Sequence, residues 1–370
     1  MHIGIDGNLL CGKKTGMGMV VYSVLRNWKT DTNKVTVFVS ENLDKETTAF
    51  LEKKRINIFV GGRYNYFKWE QVVLPRLVKE ERADILWCPY NTAPLKSPCP
   101  VVVTVHDLIY MSQKIKEVTT LYKKAGLIYR RLIVPRAISK AKKIITVSEY
   151  AKQEICNCFP NAEKKISVIY NGTDSDADEL SKDETLNFFQ KEQIRKPYIL
   201  GFGSLEKRKN SMGLIKAYER LDEDIKQEYQ LVLFGFRGYE ESEEYKYIWE
   251  RKLENVIILG YISEAEKNAL YKNSTMFVFP TFSEGFGIPV LEAYASRTPV
   301  ITSNTTSLPE VAGDAALLIN PSDVDEICLA MKKVIKENVT ERMVTEGERQ
   351  LRKFDWTVTA QRVKEILETS

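Results

Sequence analysis

The chain has 370 residues, 44% of them hydrophobic, which is enough for two domains of ordinary size with a core apiece. Its 54 basic residues are nearly balanced by 50 acidic ones, and a net charge of +4 argues against a dedicated nucleic-acid binder. No apolar run approaches a membrane span, and the six cysteines (Cys11, Cys88, Cys99, Cys156, Cys158, Cys328) are scattered, without a redox C-x-x-C or a paired zinc motif. The chain opens directly with the strand-like His2-Ile3-Gly4-Ile5, so no signal peptide is expected, and a reduced, cytoplasmic protein is the economical reading.

Short apolar runs suited to buried parallel strands fall at residues 3–5, 34–39, 56–60, 85–88, 101–104, 144–147 and 167–170. A second series follows at 198–201, 230–234, 256–259, 276–279, 300–302 and 316–319. Helical patterns alternate with them, so the fold class is α/β with two doubly wound, Rossmann-like domains. Residues 173–196, acidic and poor in aliphatics, read as the join, giving domains over 1–175 and 176–355. The tail, 356–367, has an amphipathic helix pattern.

Taken in order, the first motif is Gly12-Lys13-Lys14-Thr15-Gly16-Met17-Gly18, between the first strand and a helical stretch at 20–28. Its spacing is not G-x-G-x-x-G and it lies far from the strand, so a dinucleotide oxidoreductase gains little support. Next, Arg63, Tyr64, Tyr66, Phe67, Lys68 and Trp69 interleave cations with aromatics before a helix expected over 71–79. A membrane interface or acceptor groove and half-buried packing explain that mixture equally well. His106 stands at the carboxyl tip of a strand, where α/β proteins bind ligands. With His2 it is one of only two histidines, so a multi-histidine zinc site is not available.

From 114 to 143 ten cations, Lys114 to Lys143, face the single acid Glu117, with Leu127, Ile128, Leu132, Ile133 and Ile138 at near-helical spacing. A basic amphipathic stretch of this kind reads as either a solvated face or a surface for anionic lipid. Later, Gly203-Ser204-Leu205-Glu206-Lys207-Arg208-Lys209-Asn210 links a strand to a helix expected over 212–220. A helix N-terminus with two cations, Arg208 and Lys209, suits a diphosphate.

The segment from Met276 to Ser296 has the same plan: strand, glycine loop with Gly285 and Gly287, then a helix whose first turn carries Pro289. Two carboxylates, Glu284 and Glu292, flank this anion site. Pyrophosphate would repel them, so they are expected to point at sugar and ribose hydroxyls.

The string E-G-F-G-I-P-V-L-E, Glu284 to Glu292, resembles the signature of family-4 retaining glycosyltransferases of the GT-B fold. Trp69-Glu70-Gln71, His106-Asp107, and segments 147–152, 168–174, 203–210 and 305–311 resemble family segments in the same order. The resemblance implies two Rossmann-like domains facing a central cleft, an acceptor domain first and a nucleotide-sugar domain second, with 356–370 packing back on the first. It implies donor-binding roles for Gly16, Gly18, Gly203, Ser204, Tyr261, Ile262, Gly285, Phe286 and Gly287. Arg208 and Lys209 would stabilise the leaving diphosphate, Glu284 and His106 would orient the sugar, and Glu292 would hold the ribose. Relatives often have the arginine directly after the glycine, where Ser204 stands here, so the resemblance leaves Arg208 to supply that role.

The same resemblance implies a metal-independent enzyme without a cofactor, so Asp174, Asp176 and Asp178 read as a solvated linker and not as the D-x-D metal clamp of the other large glycosyltransferase fold. The form G-S-L-E-x-R-K-N points to bacterial surface-polysaccharide assembly, such as O-antigen and lipopolysaccharide. The expected reaction moves a hexose, mannose from GDP, to a hydroxyl of a glycan or undecaprenyl-diphosphate-linked acceptor. Stretch 114–143 would then touch the cytoplasmic face of the inner membrane. The competing readings are a GT-B phosphorylase or nucleotide-sugar epimerase, and a non-catalytic sugar-nucleotide binder.

Overall fold

Each described strand forms on one of the short apolar runs read from the sequence, and all of them pair in parallel. The computed structural model describes residues 1–14, 16–29, 33–112, 120–173, 179–236 and 238–370. Thr15, Lys114, Lys116, Glu117, Asp174, Asp176 and Asp178 therefore lie outside the described residues.

The chain divides into two units, Met1–Gly172 with Trp356–Ser370, and Thr173–Asp355. The first holds β1 (His2–Asp6), β2 (Lys34–Val39), β3 (Asn57–Val60), β4 (Ile85–Cys88), β5 (Val101–Val105), β6 (Lys143–Thr146) and β7 (Ile166–Val168) in the order β3-β2-β1-β4-β5-β6-β7. The second holds β8 (Tyr198–Phe202), β9 (Gln230–Phe234), β10 (Val256–Ile258), β11 (Met276–Phe279), β12 (Val300–Ser303) and β13 (Ala316–Ile319) in the order β10-β9-β8-β11-β12-β13. Both are doubly wound, so the strand order reverses between β1 and β4 and again between β8 and β11. At such a switch point the flanking connections diverge to opposite faces and leave a crevice above the strand tips.

The central strands are buried on both faces, which is why they read as unbroken apolar runs and not as alternating patterns. Helices pack over them: in the first unit Trp69, Leu74, Leu77, Leu127, Val134 and Ile138 cover β4 and β5, and in the second Leu214, Ile215, Tyr218, Ile327 and Met331 cover β8 and β9.

Three expectations need correction. The helix expected at 20–28 is Met17–Arg26, starting directly after Gly16. The helix expected at 71–79 is a longer helical run, Tyr66–Lys68, a widened π turn Trp69–Val73, then Leu74–Glu80 with Pro75 in its first turn. Most of the stretch read as a linker, 173–196, belongs to the second unit: a Ser181/Glu184 capping box starts the helix Lys182–Lys191, which buries Phe188.

The terminal helix Trp356–Glu368 is part of the first unit. Thr359 Oγ1 donates to the Tyr170 carbonyl at 2.6 Å and the Lys364 ammonium reaches the Lys29 carbonyl at 3.3 Å.

Candidate functional site

In the second unit the tip of β8 runs into Gly203, where a Cβ would lie 2.1 Å from the Phe236 ring. The glycine is required by packing against a buried aromatic. Beyond it, the Ser204 N–H donates to Ser211 Oγ at 3.0 Å and the Glu206 N–H to Ser204 Oγ at 3.1 Å, closing the loop on itself. Lys207–Lys209 make one tight turn that ends at Asn210, held left-handed at φ +57°. The Asn210 amide donates to the carbonyls of Pro280 and Pro321 at 3.0 and 2.7 Å, stapling this loop to the tip of β11. The helix that follows, Ser211–Glu219, has no side-chain cap at its N-terminus.

Across the switch point, β11 leads through Pro280 and Thr281 into the glycine loop. Ser307 Oγ lies 3.0 and 2.7 Å from the carbonyl oxygens of Glu284 and Phe286 and holds the loop closed. Gly287 takes φ +122°, closed to other residues, and a Cβ there would meet Leu308 at 2.8 Å. It precedes the helix Ile288–Ala295, with Pro289 in the first turn and no side-chain cap. Two uncapped helix N-termini and two cations therefore belong to loops joined at the second sheet's switch point.

Arg208 and Lys209 converge on one atom. Glu284 Oε1 lies 2.6 Å from the Lys209 ammonium, 3.0 Å from Arg208 Nη1 and 3.0 Å from the Thr281 hydroxyl. The Lys209 and Glu284 side chains are each 12% exposed, and the ammonium also sits 5.0 Å from the Phe202 ring and 5.1 Å from the Phe279 ring. Burial pulls the Lys209 pKa below its ordinary value, and the Glu284 carboxylate opposes that pull. Arg208 also pairs with Glu206 at 2.8 Å.

Glu292 likewise faces a cation: its Oε1 lies 2.7 Å from the Lys267 ammonium and its Oε2 accepts from the Tyr271 hydroxyl at 3.2 Å. Burial disfavours charge on Lys267, but the carboxylates of Glu292 and Glu264 more than offset it and raise its pKa. Each glutamate is thus engaged by a lysine, Glu284 by Lys209 and Glu292 by Lys267. The reason is electrostatic, since a half-buried ammonium needs a counter-charge nearby. Tyr261, 64% exposed, and half-buried Ile262 precede a Ser263/Glu266 capping box. That box starts the helix Glu264–Asn273, which delivers Lys267 and Tyr271.

In the first unit, Gly16 caps the helix Met17–Arg26 at φ +50° with open space around it, and a Cβ on Gly18 would meet the Leu9 carbonyl oxygen at 2.7 Å. Gly16 shapes an open turn, whereas Gly18 lets two backbones approach. His106 is buried at the tip of β5, its ring Nε2 2.8 Å from the Pro89 carbonyl and its backbone N–H donating to Asn91 Oδ1 at 2.7 Å. A carbonyl only accepts, so Nε2 carries the proton. Burial lowers the ring's pKa, which keeps it neutral and leaves Nδ1 as an acceptor.

The sequence reading passed over a buried acidic cluster at this unit's switch point. Asp6 ends β1, receives the Trp69 indole N–H at 3.0 Å on Oδ1, and has no partner for Oδ2 among the described residues. Burial and the nearby Glu70 carboxylate push Asp6 up to about 7, against the Trp69 hydrogen bond. Glu70, fully buried, accepts from Tyr66 at 2.9 Å, Gln71 at 2.8 Å, and the hydroxyls of Thr92 and Tyr129. The one available signal was an acid closing an apolar strand.

Two family models match the chain: Glycosyltransferase Family 4 over residues 14–177, and Glycosyl transferases group 1 over residues 183–351. The O-antigen chain mannosyltransferase B of Escherichia coli is 35% identical over 231 residues, 62% of this chain and 61% of that protein. The O-antigen chain mannosyltransferase RfbU of Salmonella typhimurium is 28% identical over 73% of this chain and 70% of its own length. The chain thus spans about 61% of the first relative. Among solved structures, WaaG, a glycosyltransferase involved in lipopolysaccharide biosynthesis, matches with a TM-score of 0.74 at 15% identity over the whole of both chains. Anabaena HepE, solved in complex with UDP and glucose, matches over the whole of both chains with a TM-score of 0.72 at 18% identity.

Proposed function

Because the chain belongs to the family-4 glycosyltransferases of the GT-B fold, we propose that it transfers a hexose from a nucleoside-diphosphate sugar to a hydroxyl of a surface-polysaccharide acceptor. The observation that carries this reading is the Arg208–Lys209 pair held beside two uncapped helix N-termini. Cleaving a glycosyl phosphate leaves an oxocarbenium-like sugar and a diphosphate, and fixed cations with helix dipoles stabilise the departing anion as it forms. Such stabilisation needs no divalent ion. Among the described residues no side chain stands out as a covalent nucleophile, so we favour retention by same-face displacement, the leaving phosphate taking the acceptor's proton.

Glu284 and Glu292 would then serve the sugar and the ribose, and Tyr261 and Ile262 the base. His106 Nδ1 offers an acceptor for a substrate hydroxyl. Mannose is the favoured sugar because the relatives named above are mannosyltransferases, which makes GDP-mannose the donor to try first and a glycan or a polyprenyl-diphosphate-linked glycan the acceptor. Calorimetric titration with GDP, GDP-mannose, UDP and UDP-glucose, with EDTA present, tests the donor and the metal independence together. Saturable binding of the guanine nucleotides is expected. Failure of all four, with and without added magnesium, would overturn the assignment.

Peripheral membrane contact is part of the same proposal. No described helix is long and apolar enough to cross a membrane, but the helix Leu121–Lys140 turns Leu121, Tyr122, Ile128 and Leu132 outward beside Lys123, Arg136 and Lys140. Leu127, Ile133 and Ile138 face the core instead. Exposed apolar side chains beside cations fit an anionic lipid surface. Co-sedimentation with phosphatidylglycerol vesicles, lost at high salt or in a Leu132→Glu variant, is the expected result.

A further inference from the structure

Successive strands of the first sheet are joined through helices except once, at residues 89–100 between β4 and β5. That segment holds Pro89, Pro94, Pro98 and Pro100, and prolines inside a segment deny a helix its hydrogen bonds. A helix with its side chains is about 10–12 Å across and would cover the sheet beside it, whereas a single extended chain is thinner. What remains is a cleft of about 550 Å³ between residues 93–101 and the last turn of the helix Leu121–Lys140. Small-molecule sites commonly have about this volume.

The lining is chemically divided. Leu95, Pro100 and Ala137 are apolar, while Lys140, Lys142 and Lys165 bring three ammonium groups to the same cleft. Lys140 donates to the Leu95 carbonyl at 2.9 Å and Lys165 to the Ser139 carbonyl at 2.9 Å, which leaves two N–H groups on each. Among the described residues, none of the three pairs with a carboxylate, and the Lys142 side chain makes no hydrogen bond. An acid does lie within electrostatic reach, since burial and then the Asp84 charge raise the Cys99 pKa in the cleft wall. Asp84, however, accepts from the His2 backbone N–H at 2.6 Å. Lysines at a helix carboxyl end are ordinarily explained by its dipole, but the dipole amounts to only about half an elementary charge. Three ammoniums exceed that by more than two.

We propose that this cleft binds a phosphate ester carrying an apolar group. A phosphate monoester holds about −1.5 to −2 charges at neutral pH and three strong acceptor oxygens, which matches the surplus, whereas a carboxylate would leave most of it unpaired. The apolar group then lies along Leu95, Pro100 and Ala137. The site is separate from His106: Val101 lines it at the amino end of β5, and His106 follows the other end, about 17 Å away. Lys140 also follows outward-facing Leu132 by eight residues, about 12 Å along the same helix, so a lipid headgroup and a soluble ester both satisfy this chemistry.

The experiment is calorimetric titration of the full chain with octyl phosphate, and with inorganic phosphate and octyl glucoside as probes of each half of the ligand. Wild type, Lys209→Ala and the double variant Lys142→Ala/Lys165→Ala are compared, each checked for folding by thermal unfolding. Octyl phosphate is expected to saturate one site, with inorganic phosphate and octyl glucoside at least tenfold weaker. The double variant is expected to lose at least tenfold in octyl phosphate affinity, and Lys209→Ala less than twofold. Absence of binding, equal binding of octyl glucoside or inorganic phosphate, or an unchanged double variant would overturn the proposal. So would a loss in Lys209→Ala alone, which would assign the ligand to the loop after β8 and leave the proposed function standing. If the double variant fails to fold, Lys142→Ala by itself is expected to weaken octyl phosphate about threefold, and no change would be equally fatal. Vesicles of phosphatidylcholine with phosphatidic acid then separate the sources. Vesicle binding that falls in the lysine variant identifies a lipid headgroup, and vesicle binding that does not fall, beside lost octyl phosphate affinity, identifies a soluble ester.

Discussion

The two switch points share a topology and differ in charge. At the second, between β8 and β11, two cations, a carboxylate and two open helix ends lie together and partly exposed. At the first, between β1 and β4, Asp6 and Glu70 are sealed among Trp69, Tyr66, Tyr90, Tyr129 and Thr92, and no lysine or arginine pairs with either among the described residues. Winding order fixes where a crevice opens; the residues at the strand tips decide whether it becomes an anion site or a buried hydrogen-bonded core. One end gathers paired charges at a partly exposed surface, the other buries its acids among hydrogen-bond donors.

The largest effect should come from breaking the cationic side. Lys209→Ala is expected to lower turnover about 10²–10³-fold, the loss typical of one transition-state charge stabiliser, with acceptor KM changed far less. Steady-state kinetics check it, and an equal loss in both parameters would argue against a transition-state role.

The acidic side should respond to pH. Asp6 in the folded chain titrates at about 7 against an ordinary 3.8, so the folded protein holds a proton that the unfolded chain has released between those values. Its stabilising share is therefore complete below about pH 4 and is lost as pH rises through 7, a fall of a few kcal/mol. Chemical denaturation across pH 4–8 should show that slope in wild type and a flatter one in Asp6→Asn. A residual slope from Glu70, whose pKa burial also raises, is expected to survive.

Gly203→Ala asks how much of the second tip is packing alone. With the Phe236 ring 2.1 Å from the new Cβ, a loss of about 2–3 kcal/mol in thermal unfolding is expected. Glu292→Gln should be mildest, weakening nucleotide affinity roughly tenfold by calorimetry, the equivalent of one charge-assisted hydrogen bond.

How much of this was legible depends on how local the cause is. Every described strand follows from an apolar run of three to six residues, and the Arg208–Lys209 turn from its place after such a run. Glu284 and Glu292 were visible as candidates, yet their partners were not. Lys267 reaches Glu292 across 25 residues through the angle between two helices, which no periodicity encodes. Nor does sequence reveal the π turn that sends both Trp69 and Glu70 inward, since a regular helix gives neighbouring side chains directions about 100° apart. Composition made 173–196 look like a linker because its helix buries only one residue, Phe188, among mostly polar neighbours.

The terminal helix has a consequence in time. The first unit is discontinuous in the chain, and its last element, Trp356–Glu368, packs beside Met17–Arg26 only after the whole second unit has been made. The second unit is one unbroken stretch, Thr173–Asp355, opened and closed by neighbouring residues: Thr173 and Asp355 pair as a parallel bridge. On the ribosome, then, the segment synthesised later is the first to have all of its parts. The earlier one waits, with the seat of that helix open, until residues 356–370 have been made.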